Sequence, residues 1–250
     1  MPTVIYVDSS QRVEGSDSQF RINLNETVNV EDGRLRLDKI SFVNSFYTVT
    51  RGKNEYLYIY DHQNLQRWFA LPEQAYTGVR MANAIQVATG FTTSYYEPRN
   101  EIRVTVPDPS YFILTEEELR TMPPAPLVSW PEGAGPDKPM SVNNILGPRV
   151  RQGSDIVFPF VNMSLYHDVY LRSSRLACHN VHGPRGESDI IAKIPLHKGI
   201  GTIVDEKTSE GVFYDSGTHS LRMLDFRLTD NEDNVVNLRG NQLTFQVTID

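Results

Sequence analysis

LRMLDFRLTDNEDNVVNLRGNQLTFQVTID, residues 221–250, is the stretch whose reading decides the fold. Within it, Leu243, Phe245, Val247 and Ile249 alternate with Thr244, Gln246, Thr248 and Asp250. Successive side chains on a strand point to opposite faces, so this run is a strand with one buried face. Upstream, Leu224, Phe226 and Leu228 alternate with Asp225 and Arg227 in the same way. Two turns separate the runs. Residues 229–234 (TDNEDN) are rich in Asp and Asn, which accept local backbone hydrogen bonds and tolerate left-handed backbone. Arg239-Gly240-Asn241 marks the second turn. A strand this apolar on one face is expected to lie centrally in a sheet, or under a second sheet.

Working outward, β-type runs recur through the chain. They fall at 4–7, 20–24, 35–43, 56–60, 67–71, 156–160, 169–176, 190–196, 202–204 and 212–214. The 35–43 run is expected to carry an irregularity at Asp38-Lys39. Another pair flanks Pro98-Arg99-Asn100, with Tyr95 and Tyr96 before it and Ile102, Val104 and Val106 after it. Residues 78–90 read as the one clear helix: Met81, Ala82, Ile85 and Ala88 share a side, and Gly90 is a natural stop. Residues 115–119 (TEEEL) start a short helix, with Thr115 as cap and Glu118 three residues on. Residues 141–146 fit one further helical turn. Residues 121–139 hold six prolines, which excludes a helix or a central strand. That stretch is either a surface loop or a segment docked extended on a neighbour. Many short strands without βαβ alternation make an antiparallel sandwich or barrel. The chain reads as one domain over 1–250, with 115–153 as a Pro-rich loop insertion.

Bulk properties narrow the function. The chain has 250 residues, of which 39% are hydrophobic and 22% charged, and a net charge of −7. That balance opposes nucleic-acid binding, which runs on phosphate neutralisation by Lys and Arg. The single cysteine, Cys178, excludes an internal disulfide, so a reducing compartment is expected. Asp8 ends the first apolar run too early for a signal peptide, and no run reaches the ~18 apolar residues of a membrane helix.

No chemistry-bearing motif emerges. Cys178, His179 and His182 lack a second Cys/His pair at zinc-site spacing, and His167 and His197 are isolated. Asp230, Glu232, Asp233 and Asn234 lack the mid-loop Gly and terminal Glu of a calcium hand. There is no G-x-S-x-G elbow, phosphate loop or dinucleotide fingerprint. Glu116, Glu117 and Glu118 spread around a helix start, where the dipole favours them. Arg185-Gly186-Glu187 carries Glu where an integrin-type tripeptide needs Asp. No catalytic, cofactor-binding or metal-ligating residue is therefore assigned, and the chain is not read as an enzyme. Tyr56, Tyr58 and Tyr60 share one strand face, which is read as core or as a contact with a partner subunit.

The order of several short motifs carries a resemblance. D-S-S-Q-R (8–12) precedes S-x-F-x-I-x-L (18–24) and L-x-L-D-K-I-x-F (35–42). Tyr76-Thr77-Gly78 opens the amphipathic helix, and F-I-L-T (112–115) leads to N-N-I-L-G (143–147). L-D-F-R-L-T-D (224–230), V-N-L (236–238) and a final strand follow. Taken together, over nearly the whole chain, this resembles the penton-type minor capsid proteins of polinton-like viruses, virophages and related double-stranded DNA viruses. The resemblance implies an all-β single jelly roll, two packed antiparallel four-stranded sheets, with its first and last strands adjacent. It implies homopentamers that close the fivefold vertices of an icosahedral capsid. The partners implied are the double-jelly-roll major capsid protein and other minor capsid or cement proteins, with no membrane span. The location implied is the virion, after synthesis in the host cytoplasm or a virus factory. The chain is shorter than relatives with a large outer domain, so little room is expected for a separate head. Lateral contacts are expected at loops and sheet edges, with Tyr56, Tyr58, Tyr60, Trp130, Arg149 and Arg151 as candidate contact residues. The alternative is a jelly-roll carbohydrate- or receptor-binding module, a virion spike or lectin-like protein. A cupin-like metalloenzyme would need several His and a carboxylate converging on a metal.

Overall fold

A computed structural model describes residues 3–29, 34–61, 66–121, 130–176, 182–183, 186–207, 214–215 and 220–249. The chain divides into two compact units, Met1–Phe46 with Tyr166–Asp250, and Tyr47–Leu165. Two compact units are thus distinguished within the span read from the sequence as one domain, 1–250. The physical reason is two hydrophobic clusters with no member in common, one built within each unit. Residues 115–153 are part of the larger insertion at 47–165, so room exists for a second compact unit.

The first unit contains eight principal strands: β1 (Thr3–Asp8), β2 (Gln19–Asn29), β3 (Arg34–Val43), β4 (Asp168–Arg172), β5 (Ile190–Pro195), β6 (Ile203–Lys207), β7 (Ser220–Thr229) and β8 (Leu243–Ile249). One sheet runs β1-β8-β3-β6 and the other β5-β4-β7-β2, with every pairing antiparallel. Short strands add to each, Tyr214–Asp215 beside β3 and Glu14–Gly15 beside β2. This order is that of a single jelly roll. The two sheets share one core, in which the Phe226 ring of β7 meets the Phe245 ring of β8 edge-on at 4.7 Å. The final strand is central, as its pattern requires: β8 pairs with β1 along one side and with β3 along the other.

The irregularity at Asp38-Lys39 is a bulge. Gln246 faces Lys39 and Val247 faces Leu37, so Asp38 is skipped. One extra residue reverses the side-chain parity of a strand. Leu35 and Leu37 before it, and Ile40 and Phe42 after it, therefore all point into the core. The Asp38 carboxylate fixes the bulge by accepting from Arg36 Nε at 2.6 Å, from Gln246 Nε2 at 3.1 Å and from the Thr248 hydroxyl. The 229–234 turn forms as read. The buried Asp230 carboxylate accepts from the N–H of Glu232 at 2.8 Å and of Asn234 at 2.9 Å, while Asp233 takes a left-handed φ of 67°.

The inserted unit holds a four-stranded sheet, a three-stranded sheet and three helices among its described residues. Helix α1 (Gly78–Thr89) buries Met81, Ala82 and Ile85, starts on a Thr77 cap and stops at left-handed Gly90. Helix α2 (Glu116–Thr121) opens with a reciprocal capping box. In it, Thr115 N–H donates to Glu118 Oε2 at 2.8 Å, and Glu118 N–H donates to Thr115 Oγ1 at 3.3 Å. Helix α3 (Asn143–Leu146) is the single further turn. Among the described residues, no helix is long and apolar enough to cross a membrane.

Deleting residues 243–250 removes the partner of both β1 and β3, and the truncated chain is expected to lose cooperative unfolding in a denaturant titration. Phe245→Ala is the graded version of the same test. It is expected to lower stability by about 3–5 kcal/mol, whereas Val87→Ala on the exposed side of α1 changes it by under ~0.5 kcal/mol.

Candidate functional site

All six candidate contact residues lie in the inserted unit. Their centre is the Tyr56–Tyr60 strand, held between Gln66–Ala70 and Phe112–Ile113. This strand is covered on both faces. Leu57 and Ile59 enter the main core of the unit. Tyr58 enters a smaller cluster with Leu114 and Leu119, against which Tyr56, Tyr60 and Trp130 pack. Trp130 meets the Tyr58 ring at 5.4 Å, and Trp68 meets Tyr56 at 5.4 Å. The Tyr58 hydroxyl donates to the Pro139 carbonyl at 2.5 Å. Burial, and then the neighbouring Tyr56 and Glu55, hold its pKa well above the ordinary tyrosine range.

The residues just after the proline-rich stretch bond to this same strand, with Met140 in left-handed backbone at a φ of 50°. Tyr56 N–H donates to the Met140 carbonyl at 3.0 Å, and Val142 N–H donates to the Tyr56 carbonyl at 2.9 Å. Residues 122–129 of the stretch lie outside the described residues.

The two arginines act as internal clamps. Arg149 donates from both terminal nitrogens to the Glu118 carboxylate at 2.7 Å each, and also to the Ile113 carbonyl. Arg151 donates to the carbonyls of Tyr111 at 2.6 Å, Pro109 at 2.7 Å and Gly153 at 2.8 Å. Their guanidinium carbons stand 5.9 and 5.5 Å from the Phe112 ring centroid. Tyr58 is interior, and both guanidinium groups bond to carboxylate or carbonyl oxygens of their own unit. The outward aromatic face is made instead by Trp68 and Phe112, which are 39% and 40% exposed, together with the partly buried Tyr56, Tyr60 and Trp130. Trp68 pairs opposite Tyr58, and Phe112 opposite Tyr60. Residues directly opposite share a face, so the strand register is the signal that finds both.

A second arrangement, unread in the sequence, sits in the jelly roll. Arg172 of β4 is only 1% exposed. It donates to Thr229 Oγ1 and to Asp189 Oδ1, both at 2.9 Å. Arg227 of β7 grips the other Asp189 oxygen at 2.6 Å, and Glu187 and Asp233 complete the ion-pair cluster. A buried arginine looks like any outward polar residue in a strand pattern, which is why alternation does not reveal it.

Cys178 and His179 lie outside the described residues, as does Arg185 of the 185–187 tripeptide. Among the described residues, no group of three or more His, Cys, Asp or Glu is placed to hold a metal ion.

The architecture defines the class: a single jelly roll carrying a second β-rich unit between its third and fourth strands. The crystal structure of the mavirus penton protein is similar to this chain from end to end, at a TM-score of 0.51 over 100% of this chain and 99% of that one, with 8% sequence identity. The fold is thus of the penton jelly-roll type. No protein-family profile matches the sequence, and no curated protein matches it.

Glu118 links α2 to Arg149, and its titration reads out the clamp. Burial raises its pKa, but the Arg149 bonds and the Thr115 donors outweigh burial and leave it below the usual carboxylate value. A depressed folded pKa stabilises fully above the unfolded value, about 4.3 for Glu, and the contribution is lost as pH falls through the folded value. Between pH 6 and pH 3, urea midpoints of the wild type are expected to fall more steeply than those of Glu118→Gln. Parallel curves would show that the clamp contributes nothing.

Proposed function

We propose that this chain is a structural virion protein, the penton subunit of an icosahedral capsid, whose homopentamers close the fivefold vertices. The observation that carries the reading is the full-length likeness to the mavirus penton protein, which extends over the inserted unit as well as the jelly roll. A lectin or a cupin sharing only the sandwich would match over the sandwich alone. The order of sequence motifs points the same way. On this reading the chain resides in the virion, beside a double-jelly-roll major capsid protein and other minor capsid or cement proteins.

One observation favours a second reading, a carbohydrate- or receptor-binding module. Trp68, Phe112, Tyr56 and Tyr60 form a partly exposed aromatic face, and such faces stack on sugar rings as well as on proteins. The native mass of the purified protein over a range of concentrations, with negative-stain images of the largest species, separates the two. Five 28.4 kDa subunits seen as fivefold rings are expected. A stable trimer with measurable glycan binding would favour the second reading.

A further inference from the structure

The outer face of the β1-β8-β3-β6 sheet carries a trough built within the first unit. Its volume is about 460 Å³, inside the range of roughly 300–1,000 Å³ usual for small-ligand sites. The strand register lays its lining out in two rows of three. Tyr6, Gln246 and Lys39 form one row, and Asp8, Thr244 and Ser41 the other. Successive strand residues point to opposite faces, so these six turn away from the core while Ile5, Val7, Phe245 and Phe42 fill it.

The floor of the trough is held in place from outside it. Gln246 Nε2 donates to Asp38 Oδ2 at the bulge, at 3.1 Å. Thr244 Oγ1 donates to the Ser41 carbonyl at 3.3 Å, and Asp8 Oδ1 accepts from Ser10 N–H at 2.8 Å. The Tyr6 and Ser41 hydroxyls and the Gln246 amide oxygen make no hydrogen bond to another described residue. Beside them the Tyr6 ring is 78% exposed, an apolar plane next to a polar floor. Charge cancels: the lining holds one ammonium, Lys39, and one carboxylate, Asp8, and Lys39 is itself held on Asp205 at 3.1 Å. Such a lining selects neither an anion nor a cation, and it is too polar for a wholly apolar ligand.

We propose that this trough binds a neutral carbohydrate. A sugar ring has an apolar face of C–H groups, which packs on an aromatic plane, and a rim of hydroxyls that both donate and accept. The Tyr6 ring meets the first requirement, with its own hydroxyl as a polar handle. The Gln246 amide oxygen, the Ser41 hydroxyl and the Asp8 carboxylate meet the second. The inference goes beyond the penton reading and does not rest on it. It uses no residue of the inserted unit, and so is distinct from the aromatic face of Trp68 and Phe112.

The test is saturation-transfer NMR on the full chain, with glucose, galactose, mannose, N-acetylglucosamine and their disaccharides as probes. At least one probe is expected to bind with a millimolar dissociation constant, as suits an open site. Tyr6→Ala is expected to weaken it about tenfold, the scale of one aromatic contact, and to leave thermal unfolding unchanged because the side chain is exposed. Tyr6→Phe keeps the ring and should keep the binding, and Trp68→Ala should not alter it. Silence from every probe, or binding that Tyr6→Ala leaves intact, would overturn the sugar site. Binding lost in Trp68→Ala would overturn it too, by moving recognition to the inserted unit. Native mass is measured on the same samples, so the penton reading stands or falls separately. A five-subunit species that Tyr6→Ala reduces to monomer, in a protein that binds no probe, would make the trough a subunit contact instead.

Discussion

The insertion of β8 between β1 and β3 is the constraint on which the jelly roll depends. Both neighbours of the last strand come from the first 43 residues. The sheet cannot close until the whole chain has been threaded out and back. Small bonds tie the ends together across that distance: Leu243 N–H donates to Ser9 Oγ at 3.0 Å, and Leu238 N–H donates to Ser18 Oγ at 3.3 Å. Phe245 then carries the sheet's apolar face onto Phe226 of the other sheet. Because the closing contacts are so distant in sequence, folding is expected to be slow relative to helical domains of this size.

That same topology explains why a second unit is tolerated between β3 and β4. The chain leaves one sheet at Val43 and enters the other at Asp168. The cost of a longer connection grows only slowly with its length. The insertion also supplies its own core around Leu57, Ile85, Ile102 and Ile156. The buried Arg172 cluster works at the next level down. It ties β4 and β7 to the residues around Asp189 and Asp233. Removing one partner of such a buried pair typically costs about 3–5 kcal/mol, so the cluster fixes one arrangement of the β4–β7 region.

Much of this was legible in the sequence because strand burial has a period of two. The alternation in 243–250 gave the central strand, and the broken parity between Leu37 and Ile40 gave the bulge. Capping chemistry gave the end of α1 at Gly90 and the start of α2 at Thr115. The division into two units was not legible. The crossings at Phe46-Tyr47 and Leu165-Tyr166 contain no Gly or Pro, while the proline-rich stretch, which resembles a boundary, lies inside the second unit. At the candidate site, alternation placed Tyr56, Tyr58 and Tyr60 on one face. That Leu119 and Trp130 cover the middle ring depends on packing from distant segments. Arg149 and Arg151 flank Val150 as outward residues would, yet both reach back to groups about forty positions or fewer upstream. Trp68 and Phe112 needed the register between strands, which single-strand patterns do not contain.

A vertex role makes a positional statement, and position is best measured in the particle. An electron cryo-microscopy reconstruction of intact virions, carried to a resolution that traces strands, locates the eight-stranded sandwich without reference to how the isolated chain behaves. Five copies around each fivefold axis are the expected result. The same sandwich found on a threefold spike, or missing from the shell, would contradict a penton role.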